Sequence, residues 1–215
     1  MLPQRRVVAA LVLGVLMVTA GCNVLVGDQP LEFTAAPATV EDATLRESEY
    51  EEVATETQTI VRNFSAAGRT RQANVTNQLV QYERQVNLGV LGTRRAAVAV
   101  TFTSPRVTVV GQDFNPIKDL TTRELLSRLE SQYESIQVGQ QVAVQNVTSL
   151  GEVRTLRTYE GTADLGGRSV PVYIQATSAF AHADDYVVFV AIYPQQLDGE
   201  EQRVLRLFRN LSHPA

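Results

Sequence analysis

The chain has 215 residues, 23 acidic against 19 basic side chains, a formal charge of −4 and 44% hydrophobic residues. Such a chain is long enough to bury a sizeable core, and it lacks the basic footprint that nucleic-acid binding requires. A single cysteine, Cys22, excludes an internal disulfide.

Arg5 and Arg6 precede Val7–Val18, an aliphatic run interrupted only by Gly14, and Thr19, Ala20 and Gly21 follow. A charged start, an apolar stretch and a small-residue exit make the layout of an export signal. Twelve helical residues span roughly 18 Å, short of a hydrocarbon core of about 30 Å. An uncleaved anchor over Val7–Val26 and a buried N-terminal helix are the competing readings. Thr19-Ala20-Gly21-Cys22 resembles a lipobox, the site at which prokaryotic lipoproteins are lipidated on cysteine and cleaved before it. Thr19 departs from the usual bacterial Leu. The resemblance implies a signal peptide over residues 1–21 and a lipidated N-terminus and tether over 22–42; with no Pro/Gly/Ser linker to divide it, 43–215 reads as one α+β domain. Two acyl chains on Cys22 suffice for stable anchoring to the extracytoplasmic face of the cell membrane. A buried or reactive free thiol is the alternative for this residue. Losing Arg5 and Arg6 with the signal takes the formal charge from −4 to −6.

Eighteen arginines stand against Lys118 alone, a bias that with the acidity and the TAGC box points to a haloarchaeal source. Asn63, Asn74, Asn146 and Asn210 begin Asn-x-Ser/Thr sequons, which marks the chain as a candidate glycoprotein.

Twenty extended residues of a 23–42 tether reach up to roughly 65 Å, with Leu31 and Phe33 available for a short strand. Ala43–Ala67 carries Leu45, Tyr50, Val53, Thr57, Ile60, Val61 and Phe64 at helical spacing and reads as a helix stopped by Gly68. Arg71–Val86 reads as a long strand with a change of phase, 88–93 as a turn and Arg95–Ser104 as a central strand ended by Pro105. Gly111–Asp119 is a loop. Thr121 and Glu124 form a capping box for a helix reaching Ile136, with Leu125, Leu129 and Tyr133 on its apolar face. No element is assigned to 137–151. Glu152–Tyr159, Val170–Thr177 and Tyr186–Tyr193 are three consecutive strands with turns at Gly161, Gly166-Gly167 and Asp184-Asp185, and the last is apolar on both faces, as a central strand must be. Asp198–Leu211 closes as a helix with Val204, Leu207, Phe208 and Leu211 inward.

This order predicts an α+β fold, a largely antiparallel sheet with packed helices. The element order resembles the Mog1/PsbP-like α/β/α sandwich. Across nearly the whole length the chain is also similar to a haloarchaeal lipoprotein family of unknown function, through the TAGC box, Asn74-Val75-Thr76-Asn77, Tyr82-Glu83-Arg84, Ser104-Pro105-Arg106 and Phe114-Asn115-Pro116-Ile117. That resemblance bears on location and brings no catalytic residue.

His182 and His213 are the only histidines and neither has a partner at metal-ligand spacing. His182-Ala183-Asp184-Asp185 reads as a solvated turn and His213 as a frayed end. No Gly-x-Ser-x-Gly elbow or phosphate loop is present, so no catalytic, metal or cofactor residue is predicted. Phe114, Asn115 and Lys118 are the candidate partner loop, although Phe114 and Ile117 serve equally as the loop's own anchors. The leading expectation is a non-enzymatic, lipid-anchored binding or scaffolding protein with an envelope-protein partner. The alternatives are a solute-binding or carrier lipoprotein, whose apolar pocket would involve Tyr173, Phe189 and Tyr193, and behind it a hydrolase.

Overall fold

Alternating β-branched and polar residues dominate the chain, and strands dominate the fold. The computed structural model describes residues 29–66, 69–87, 93–109, 112–132, 135–164 and 168–214. The elements are β1 (Leu31–Thr34), β2 (Thr39–Val40), α1 (Asp42–Ser48), β3 (Glu51–Ala66), β4 (Arg69–Asn87), β5 (Thr93–Pro105), β6 (Thr108–Val109), β7 (Gln112–Asp113), α2 (Thr122–Gln132), β8 (Ile136–Ser149), β9 (Glu152–Asp164), β10 (Ser169–Ala176), β11 (Phe180–His182), β12 (Asp185–Pro194), α3 (Glu200–Arg209) and β13 (Leu211–Ser212).

Nine strands form one sheet, running from β3 through β4, β5, β12, β10 and β9 to β8. β1 shares the β5 side of β4: Ala73–Thr76 pair with β1, and Gln78–Asn87 pair with β5. The β1–β4 pair is parallel, and every other described pair is antiparallel. With three helices packed on this sheet the fold is α+β, as its element order predicts.

The helix expected over 43–67 ends at Ser48. Glu49 takes a left-handed conformation with φ 58, and Tyr50 N–H bonds back to Leu45 O at 2.9 Å, closing the last turn. The remainder becomes β3, paired with β4 from Glu51 to Ala66. Val53, Thr55, Thr57, Thr59 and Val61 are β-branched at every second position, a spacing that suits a pleated strand better than a helix. Thr59 bonds Thr76 across the pair at 3.0 Å, and Thr57 donates to Gln78 at 2.9 Å. Helix-like spacing of the few apolar residues was therefore coincidental.

Two further differences concern the edges. α2 ends at Gln132 and Ile136, expected to close it, begins β8, which runs to Ser149 through a stretch where no element was expected, because its apolar residues are sparse and it bulges twice against β9. Gly161 faces this bulged stretch, and a Cβ there would lie 2.5 Å from Gln137 O. At the other end, Leu31–Val40 of the expected tether supplies β1 and β2, which belong to the folded unit. The expected Leu88–Thr93 and Gly166-Gly167 turns fall mostly outside the described residues, and so does Tyr133.

β4 explains its own change of phase. Ala73, Val75 and Asn77 are buried on one face, and then Val80, Tyr82 and Arg84 on the other. Its register with β3 is unbroken from Gln81 to Arg69, so no bulge causes the switch. What changes is which side of the sheet is covered. α3 covers one face, where Tyr82, Ala99, Phe189, Ala191, Leu207 and Phe208 interlock, with Phe189 and Phe208 rings 5.0 Å apart. α2 covers part of the other, with Leu126 against Val138, Tyr159, Val172 and Ile174.

Glu200 opens α3 fully buried, and its carboxylate is matched on both oxygens. Tyr50 Oη donates to Oε1 at 2.7 Å, and Arg84 Nε donates to Oε2 at 2.9 Å. Burial first, then the neighbouring Glu200 charge, pushes the Tyr50 phenol well above its ordinary range. Glu49 reaches Arg203 at 3.2 Å from a largely exposed position, a contact of the kind that contributes below about 1 kcal/mol.

Arg84→Met strands the Glu200 charge in the core and should cost about 3–5 kcal/mol in urea denaturation. Adding Glu200→Leu should restore most of that loss, since a well-packed apolar pair is comparable to a buried ion pair. Tyr82 accepts Val40 N–H at 3.0 Å, and burial pushes its phenol from 10.0 up to about 12. Folding thus holds this proton more tightly, so the stabilisation is full below pH 10 and is lost as the pH rises through 12. Phenolate absorbance at 295 nm should rise together with unfolding over that window, and Tyr82→Phe should make the decline less steep.

Candidate ligand groove

The face that α2 leaves bare forms a groove of about 1430 Å³. Registered pairs across the sheet build its floor: Leu79 faces Phe102, which faces Val188, and Val100 faces Val190, which faces Ala176. Val98 and Ile192 form the next row. Leu125 and Leu129 of α2, with Phe114, Pro116 and Ile117 of the preceding loop, make the wall, and Gln58, Arg62 and Arg128 add polar lining. An apolar concavity with a few polar groups is the usual construction of a small-molecule site.

The wall is held by local chemistry. Thr121 N–H donates to Glu124 Oε2 at 2.8 Å and Glu124 N–H to Thr121 Oγ1 at 3.2 Å, the reciprocal cap expected of this helix. The Thr121 hydrogen bonds hold the Glu124 carboxyl below its usual range. Asn115 is 2% exposed and turns inward. Its amide donates to Ser104 Oγ at 2.8 Å and Pro105 O at 2.7 Å, while its oxygen accepts Ile117 N–H at 3.0 Å. Of the candidate partner loop, then, Asn115 is spent on internal bonds and Phe114 stands 38% exposed at the groove. Lys118 sits 4.0 Å from Asp119, away from the groove lining.

Of the residues expected around a pocket, Tyr173 and Phe189 belong to the α3-side core, and Tyr193 belongs to that core and also borders the groove. Phe189 is fully buried against Phe208, and Tyr173 meets Tyr193 edge to face at 6.0 Å. The pocket expected between sheet and helices lies on the opposite face.

The two histidines, distant in sequence, meet in space. His182 Nδ1 lies 2.9 Å from His213 Nδ1, and His213 Nε2 lies 3.0 Å from Asp185 Oδ2, which also accepts Ala36 N–H at 2.8 Å. His213 is buried, not frayed, because β13 pairs with β2 and draws the C-terminal residues over the sheet. Asp185 is likewise buried, so the expected solvated turn is solvated only at Ala183 and Asp184. Burial, and then His213, hold His182 below its ordinary range. Asp185 meets the His213 ring at Nε2 and His182 meets it at Nδ1, so both His213 nitrogens are engaged by neighbouring side chains. Among the described residues no group of three or more His, Cys, Asp or Glu is placed to hold a metal ion.

Asn63, Asn146 and Asn210 are exposed, whereas Asn74 is half-buried and donates to Glu32 at 2.7 Å. Cys22 lies outside the described residues. Asn115→Ala should leave Pro105 O unmatched and cost about 1–3 kcal/mol. Hydrogen exchange should show it as faster exchange confined to Ile117 and Leu120, with the core strands protected as before.

Comparison with curated proteins finds none that matches. A family model described as a domain of unknown function, DUF6517, matches residues 37–212, from the segment before β2 to β13. The chain belongs to the DUF6517 family.

Proposed function

We propose that this protein is a non-enzymatic, lipid-anchored binding protein on the extracytoplasmic face of the cell membrane, and that its groove takes an elongated apolar small molecule. The groove carries the reading: about 1430 Å³ exceeds what a drug-sized ligand fills, and its apolar floor extends across β4, β5, β12 and β10. Cys22 after Thr19-Ala20-Gly21 supports the anchoring, and the exposed sequons Asn63, Asn146 and Asn210 suit an exported surface. Helices on both faces of the sheet agree with a Mog1/PsbP-like sandwich, which we include as the finer reading of the fold.

A protein partner is the second reading, and β8 favours it. This edge strand of fourteen residues carries no charge and no proline, and Val142 and Val144 are exposed on it. Arg123 and Glu130 of α2 occupy the backbone groups of Val138 and Gly139, and the edge beyond them is the stretch suited to strand addition.

Titration with the apolar dye N-phenyl-1-naphthylamine should show a saturable fluorescence rise. Val100→Trp, which fills the groove without burying a charge, should weaken dye binding at least tenfold while leaving thermal stability unchanged. Undiminished binding in that variant would sink the groove reading. For the anchor, the intact mass of membrane-extracted protein should start at Cys22 and carry a diacylglyceryl addition; a chain retaining Met1 would refute it.

A further inference from the structure

We propose that the ligand of this groove is an apolar chain bearing a hydrogen-bond donor, a hydroxyl in the simplest case, that seats against Asn77. The proposal rests on the groove being a binding site and adds the chemistry of the molecule that fits it.

Asn77 lies at the seam where β4 passes from β1 to β5: Thr76 is the last residue paired with β1, and Gln78 the first paired with β5. It is 4% exposed and lines the groove between Val75 and Leu79. Its Oδ1 has no hydrogen-bond partner. An acceptor buried in this way is destabilising relative to a matched one. The other buried unmatched side-chain atoms among the described residues belong to Ser48, Arg154 and Gln175, none of which lines the groove. Ser104 Oγ accepts the Asn115 amide and Gln78 Oε1 accepts Thr57, and neither residue donates to Asn77 Oδ1.

A carboxamide is broad about its terminal torsion, so a small rotation lets the oxygen meet a donor in the groove at little cost. A ligand hydroxyl placed there would match the acceptor. An unsubstituted hydrocarbon would leave the oxygen as it is. The surrounding Leu79, Val100 and Phe102 supply the contact for the chain itself. Discrimination by such a group comes from leaving the site's own polar atom unmatched when the wrong ligand binds.

The test uses dodecanol and dodecyl methyl ether, which share a chain and differ in the donor, as competitors of N-phenyl-1-naphthylamine on the whole chain. Dodecanol should displace the dye about tenfold more effectively than the ether. Asn77→Leu removes the unmatched oxygen and should fold with unchanged or greater stability. In that variant the two competitors should become equal, chiefly through weaker dodecanol binding, and Asn77→Ser provides a smaller side chain for the same comparison. Equal competition in the unaltered protein, or a preference that survives in both variants, would overturn the proposal while dye binding upholds the groove. Failure of dye and both competitors to bind would overturn the two together.

Discussion

A buried carboxylate organises one face of this molecule. Glu200 begins the longer of the two helices on the α3 side of the central strands, and it is satisfied by groups from two distant places, Tyr50 just before β3 and Arg84 in β4. A lone charge in that position would be intolerable, so the three residues must arrive together. Their meeting sets where α3 lies along the sheet, and that in turn places Phe208 against Phe189 and Leu207 in the core. It also explains why α1 stops at Ser48. Tyr50 has to point inward immediately after the left-handed turn at Glu49, and a continuing helix would carry it past Glu200.

The opposite face is limited by length. α2 has eleven residues and extends roughly 16 Å, whereas β4, with nineteen, reaches roughly 60 Å. A helix of that size shields the β9–β10 portion and leaves β4, β5 and the near side of β12 partly bare. The groove is thus a mismatch between long hairpins and a short helix, fixed in shape by the capping box at Thr121 and by the inward turn of Asn115.

Legibility in the sequence followed the density of buried apolar side chains. β12 is apolar on both sides because both sides are covered, and its central place was readable from its eight-residue apolar run. The cap of α2 and the inward stripe of α3 were equally plain, since each depends on residues three or four apart. β3 and β8 were not, because edge strands bury little and leave only Thr, Gln and Val alternation as a signal. The groove escaped for a related reason: Leu79, Val98 and Val100 look like core residues, and nothing in their identity says that the covering helix ends short of them. The His182–His213–Asp185 cluster depends on β13 crossing to β2, a long-range pairing that leaves no local pattern.

That crossing has a bearing on assembly in time. Val40 and Leu211 lie near opposite ends of the folded residues, yet they are neighbours in a two-strand ladder, and His213 beyond it is locked against Asp185. Contacts of such sequence separation carry a large loop-closure cost and form late. During synthesis the earliest part of the domain therefore waits for the last, and no ribosome-bound fragment lacking residues 211–213 contains the finished seam.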